Sequence, residues 1–217
     1  MDTTVIQKHP RPGRPPKVGN SGLHPTKERI LNAALRLFSE EGFSRTSIRD
    51  IAKESGYTHG LFYNHFSSKE EVLRFIYNYY REEVAKVMPD LDTLLAKCET
   101  QPPLSVLAQT DYYFPAEIQE TMDRIIVIAV MESRVNDEAR AFINECLLDL
   151  PQRNLAPLLH RLVELKKIEP LDIDVFCMLT ANYLYAAAIR NHSLIAVSME
   201  DWLRGRNALF TAFVKPI

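Results

Sequence analysis

The chain has 217 residues, of which 46% are hydrophobic and 25% charged, with a formal net charge of −2; this is the make-up of an ordinary soluble protein of one or two domains. Its longest apolar run, IIVIAVM at 125–131, is far too short to span a bilayer and the amino terminus carries no secretory-type apolar segment, which points to a cytoplasmic protein with no membrane partner. Three widely spaced cysteines, Cys98, Cys146 and Cys177, contain no Cys-x-x-Cys pair and indicate neither a disulfide framework nor a zinc site; the simplest reading is three buried small hydrophobes.

The first 25 residues hold five prolines and three glycines and no helical periodicity, and read as a disordered basic arm. Within it Arg11-Pro12-Gly13-Arg14-Pro15-Pro16-Lys17 resembles the Gly-Arg-Pro core of AT-hook peptides. There an extended arginine, here Arg14, lies in the narrow minor groove of A·T-rich DNA; a nonspecific basic tail is the alternative. A helix is expected from about Thr26 to Glu40, with Ile30, Ala34, Leu37 and Phe38 on one face and Gly42 at its end. Thr46 or Ser47 can cap a second helix over 47–54, in which Ile48, Ile51 and Ala52 share a face and the small Ala52 permits close approach of a neighbour. Gly56 can adopt the positive φ that a tight turn between helices requires. Thr58 then caps a helix over 59–65, where Phe62 and Phe66 turn inward and His59, Gly60, Leu61, Tyr63, Asn64 and His65 share the rest of the surface. Such a helix beside a compact support is what a major groove admits. Charge is divided accordingly: residues 1–80 hold 12 Lys and Arg against 8 Asp and Glu, or +4, and residues 81–217 hold 14 against 20, or −6. The basic part suits phosphates and the acidic remainder stays clear of them.

Taken together, ERILNAALRLF, EEGFSRTSIRDIA, Gly56 and YNHFSSKEEVL, with Tyr63, His65, Phe66 and Lys69 at Tyr-x-His-Phe-x-x-Lys spacing, resemble the DNA-binding domain of the TetR family of bacterial transcription regulators. The resemblance covers about Thr26 to Leu73. It implies that Tyr63, His65 and Lys69 hold phosphates, Lys69 at the amino end of a helix where dipole and side chain both favour an anion. Thr58, His59, Gly60, Leu61 and Asn64 are better placed for base edges, Asn64 toward adenine and Leu61 toward a thymine methyl, with Thr46 and Ser47 also assigned to the DNA-binding set. Leu61 and Tyr57 depart from the family's habit of a small hydroxyl and a small aliphatic residue, so base preference cannot be copied from a relative.

Ser67 or Ser68 caps a fourth helix carrying Val72, Leu73, Ile76 and Tyr80, which links the two halves. Beyond it come a segment broken by Pro102 and Pro103, a helix from about Ala116 to Val135, a long helix from Asp137 to Lys167 bent at Pro151 and Pro157, and two final helices at about Asp172–His192 and Met199–Val214. The last two are apolar on more than one face, as central or shared helices are. The reading is therefore all-α: a basic arm at 1–25, a helix-turn-helix DNA-binding domain at 26–72 and a larger helical effector-binding and dimerisation domain at 73–217. The resemblance implies a homodimer through the two carboxy-terminal helices on a double-stranded, inverted-repeat operator. It also implies release of a repressor by a small apolar or amphipathic effector.

Candidate lining groups for that effector are Tyr112, Tyr113, Met122, Ile126, Met131, Phe142, His160, Phe176 and Asn182, residue types that also build plain cores; His160 and Asn182 need polar partners, which Asn182 can find across the dimer interface. A carboxy-terminal half controlled by a protein partner, with no small-molecule effector, is the alternative. No nucleophile elbow, glycine-rich phosphate loop or His-Glu-x-x-His pattern suggests an enzyme or a cofactor.

Overall fold

Eleven α-helices and a short π-helical segment make up the described parts of a computed structural model, which are residues 24–87, 89–109, 116–190 and 199–217. Helix α1, Pro25–Glu41, starts with proline in its first turn and with His24 as cap, whose Nδ1 accepts from the Thr26 N–H. It buries Ile30, Ala34, Leu37 and Phe38, the expected face, and stops at Gly42, where φ is 92°. Helices α2, Ile48–Ser55, and α3, His59–Tyr63, follow, and α4, Lys69–Val87, turns Val72, Leu73, Ile76, Tyr77, Tyr79 and Tyr80 inward.

The segment expected to be broken by Pro102 and Pro103 forms two short helices, α5, Leu91–Thr100, capped by Asp90, and α6, Pro103–Gln109. Helix α7 spans Ala116–Glu132. The expected long helix over 137–167 is three pieces: α8, Asp137–Ile143, a π-helical segment, Asn144–Leu148, and α9, Leu150–Glu164. Pro151 explains the break. It has no N–H for the carbonyl four residues back and its ring crowds that carbonyl, so the chain widens before it, and the Asp149 N–H reaches Asn144 O at 2.8 Å. Pro157 is accommodated inside α9. Helices α10, Ile173–Arg190, and α11, Met199–Phe213, close the order; the tail returns to the α9 exit, where the Glu169 N–H donates to Lys215 O at 2.8 Å.

Two apolar cores result. One holds residues from α1 to α4 together with Met122, Ile125, Ile126, Ile128, Ala129, Phe142, Cys146 and Leu147 from α7, α8 and the π segment. The other joins α5, α6, α9, α10 and α11 around Leu158, Phe176 and Phe210. The amino-terminal helices therefore pack directly on α7 and α8, and the expected boundary at 72/73 falls inside α4. Ion pairs reinforce this seam: Arg74 with Glu138 at 3.3 Å and Arg81 with Glu145 at 2.8 Å. Arg124 Nη1 donates to Ser39 Oγ at 3.0 Å and to Glu40 at 3.2 Å.

Candidate nucleic-acid interface

The reading unit is built from caps. Ser47, not Thr46, starts α2: its hydroxyl oxygen accepts from the Asp50 N–H, while the Asp50 carboxylate accepts from the Ser47 N–H at 2.9 Å and hydroxyl at 2.6 Å. Those bonds, the Ser47 hydroxyl first, hold the Asp50 carboxyl below its ordinary range. Gly56 ends α2 at φ 77°, ψ 22°, and the Tyr57 N–H closes the turn on Ala52 O at 2.9 Å. Ala52 is buried as expected. Thr58 caps α3 through the Leu61 N–H at 3.3 Å. Helix α3 is shorter than the expected 59–65: Asn64 and His65 lie in a tightened turn in which the His65 N–H bonds Phe62 O at 2.9 Å.

On this frame Thr58, His59, Gly60, Tyr63 and Asn64 are exposed, Leu61 and His65 half-buried, and Phe62 and Phe66 buried. Space around Gly60 is open: a Cβ there would meet nothing within 4 Å. Tyr63 is 48% exposed, with its ring edge-on to His59 at 5.0 Å, so the two aromatic groups orient one another on the outer face. His65 lies 5.6 Å, ring to ring, from His24, which brings the start of α1 beside the end of α3. Arg14 and the rest of the arm up to residue 23 lie outside the described residues.

Of the DNA-binding assignments Thr46 is corrected, and Lys69 meets carbonyls of its own chain. Thr46 is 1% exposed; its hydroxyl donates to Gly42 O at 2.9 Å and its N–H to Gly42 O and Phe43 O, so it closes the α1–α2 loop and offers a duplex nothing. Lys69 stands at the amino end of α4, but its ammonium reaches Phe43 O at 2.8 Å, Thr46 O at 3.1 Å and Ser44 O at 3.5 Å. An ammonium has three donors, which matches these three carbonyls in number. The amino end of α4 is capped by its own neighbours: the Glu71 N–H donates to Ser68 Oγ, and the Glu71 carboxylate accepts from the Ser67 N–H and hydroxyl, both at 2.6 Å. Ser67 and Ser68 thus share the cap.

Other contacts were not readable from spacing. Arg29 lies over the Tyr57 ring at 4.9 Å, and Lys27 over Phe75 and Phe66 at 4.1 and 5.1 Å. An unusually large aromatic at Tyr57 was the available signal for the first. Arg36 bridges Glu40 on its own helix and Glu54 on α2, which ties the helix-turn-helix to α1.

Among the described residues the effector candidates do not converge on one space. Met122, Ile126 and Phe142 are packed in the first core and Phe176 in the second, whereas Met131, at 49% exposure, His160 and Asn182 face outward. As a surface group His160 requires no buried partner, which corrects that expectation, while Asn182 is exposed on α10. Tyr112 and Tyr113 lie outside the described residues. Phe142 is held by ring contacts, stacked on Tyr77 at 4.3 Å and edge-on to Tyr80 at 5.2 Å. The fully buried Tyr77 hydroxyl has no hydrogen-bond partner among the described residues. A crevice lined by Leu31, Leu35, Phe75, Ile76, Tyr79 and Ile125 has no room for a water molecule. Burial pushes the Cys146 thiol up to about 12 and the Cys177 thiol up to about 11, with Glu145 and Asp174 adding to the respective shifts. Among the described residues, no helix is long and apolar enough to cross a membrane, and no three His, Cys, Asp or Glu side chains are grouped to hold a metal.

Residues 30–76 match the family model for bacterial regulatory proteins, tetR family. Over 122 residues the chain is 34% identical to the transcriptional regulator AcrR of Shigella flexneri, a match covering 56% of this chain and 47% of that protein. The chain spans less than half the length of the first curated relatives it matches. The TetR family transcriptional regulator PfmR of Thermus thermophilus has a similar fold, with a TM-score of 0.64 at 24% identity over 86% of this chain and 96% of that one. So does SmeT in complex with triclosan, with a TM-score of 0.62 at 21% identity over 88% and 93% of the two chains.

Proposed function

We propose, from the chain's membership of the tetR family of bacterial regulatory proteins, that it is a sequence-specific, non-catalytic transcription regulator of the cytoplasm, a homodimeric repressor that leaves an inverted-repeat operator when a small apolar or amphipathic molecule binds. The observation that carries the DNA-binding part is the doubly capped helix-turn-helix, whose α3 presents Thr58, His59, Gly60, Tyr63 and Asn64 outward over buried Phe62 and Phe66. In this reading Asn64 and Leu61 contact base edges, Tyr63 and His65 hold phosphates, and Arg14 of the arm adds a minor-groove contact. Exposed apolar groups on α10, Met178 at 55% and Val175 at 36%, support a second copy covering that helix. A two-fold axis would then set the two α3 helices about 34–36 Å apart for successive major grooves.

For effector control the support is the triclosan complex of SmeT and the direct packing of α1 and α4 on α7 and α8. A molecule that wedges α4 from α7 and α8 would need only about 1–3 kcal/mol of coupling to change operator affinity some five- to 150-fold, and the unpartnered Tyr77 hydroxyl would give it a polar anchor.

The reading of α3 is tested with Asn64→Ala on a panel of duplexes, each differing from the bound sequence at one base pair. The variant is expected to lose about 1–3 kcal/mol of discrimination at particular base pairs. An equal loss on every duplex would contradict the base-reading role.

A further inference from the structure

The ammonium of Lys69 is enclosed by one loop. Phe43 O, Ser44 O and Thr46 O converge on it, and the Phe43 ring lies 4.4 Å from the charge. Phe43 is itself fixed, buried and edge-on to Phe38 of α1 at 5.0 Å. The loop leads straight into Ser47, the cap of α2, and Lys69 is the first residue of α4. Further along, in its second and fourth turns, α4 is joined to α8 and the π segment by the ion pairs Arg74–Glu138 and Arg81–Glu145. Helix α4 therefore carries one cationic hold on the loop that starts the reading unit and two on the opposite half.

We propose that Lys69 is a positioning residue that locks α4 to the α1–α2 loop and so holds the start of α2, and with it α3, in place. The proposal rests on the DNA-binding reading above and departs from the phosphate-holding role implied by the motif. The two roles differ in salt dependence and in what can replace the lysine. Removing one phosphate-binding cation from each subunit of a dimer lowers the slope of log affinity against log salt by about 1.8. Removing a lock leaves the slope in place. Arginine can hold a phosphate at least as well as lysine, but its planar fork does not fit three convergent carbonyls.

The test is a salt series of binding to the selected duplex with the full chain, its Lys69→Met variant and its Lys69→Arg variant, combined with amide hydrogen exchange over residues 43–50 without DNA. Both variants are expected to bind about tenfold more weakly with an unchanged salt slope, and Lys69→Met to exchange faster at Thr46 and Ser47. A slope reduced by about 1.8 in Lys69→Met with full binding by Lys69→Arg would overturn the lock in favour of a phosphate contact. Unchanged exchange would overturn it whether or not DNA binds, and a wild-type chain that binds no duplex would overturn the DNA-binding reading instead.

Discussion

Gly56→Ala puts the geometry of the helix-turn-helix to a quantitative test. The position has φ 77°, and an alanine held there costs about 1–2 kcal/mol because its Cβ crowds the following carbonyl. The new Cβ would also stand 3.0 Å from a terminal nitrogen of Arg29 and push the guanidinium off the Tyr57 ring, forfeiting an exposed cation–π interaction of about 0.5–1 kcal/mol. Against this, alanine restricts the unfolded chain and returns about 0.4–1 kcal/mol. The net loss is about 1–2 kcal/mol, measurable by denaturant unfolding followed by circular dichroism, with the midpoint shifted and the slope unchanged. Two companions separate the causes. Asparagine tolerates the left-handed region, so Gly56→Asn should lose less than Gly56→Ala. Arg29→Ala should remove the crowding part, so the two substitutions together should cost less than the sum of each alone. Wild-type stability in Gly56→Ala, or an equal loss in Gly56→Asn, would refute the left-handed turn.

Phe142→Ala should cost about 3–5 kcal/mol in the same unfolding assay, because the ring is fully buried between Tyr77 and Tyr80 where α4 meets α8; a loss below about 1 kcal/mol would mean that the seam is loosely packed. Asp50 and Glu71 are both depressed from their ordinary values of 3.8 and 4.5, first by the hydroxyls of Ser47 and Ser67 and then by the backbone N–H groups of the same residues. A depressed carboxylate stabilises the fold above its unfolded value and ceases to do so as pH falls through the folded one, so these caps should hold above pH 4.5 and weaken progressively below it. Ser47→Ala should accordingly melt lower at neutral pH and show a shallower acid loss than the wild type; a steeper one would contradict the capping box. The three cysteines are buried, and their thiols are raised by burial, so native protein at about pH 8 should react slowly with a thiol reagent and denatured protein rapidly at all three positions. Fast labelling of the native chain would show that these side chains are reachable.

What the sequence conveyed was mostly local. The apolar face of α1, the glycine turn at Gly56 and the Thr58 cap each depend on residues within a turn of one another, and each is present at the expected place. Lys69 shows the limit: the carbonyls it meets are 23 to 26 residues away, and nothing in a local motif says that a loop will fold back over an ammonium. Thr46 failed for the reverse reason, since two adjacent hydroxyls were equally good caps on paper and only the path of the loop decides which one turns inward. At Pro151 the proline was noticed as a bend, but the chain takes it up by a π turn ahead of the proline, a widening that the residue type alone does not specify. The effector candidates were chosen by residue type, and type does not distinguish Phe142, clamped between tyrosines, from a residue that lines a space.

Selection of bound duplexes from a random DNA pool at near-physiological salt, followed by sequencing, reaches the central claim most directly. A homodimer reading through α3 predicts an enriched inverted repeat whose half-sites lie one helical turn apart, about 10–10.5 base pairs centre to centre, or a multiple of that. Weak, strongly salt-dependent binding with no consensus would contradict it, and would mean that the basic amino-terminal part grips DNA without reading sequence.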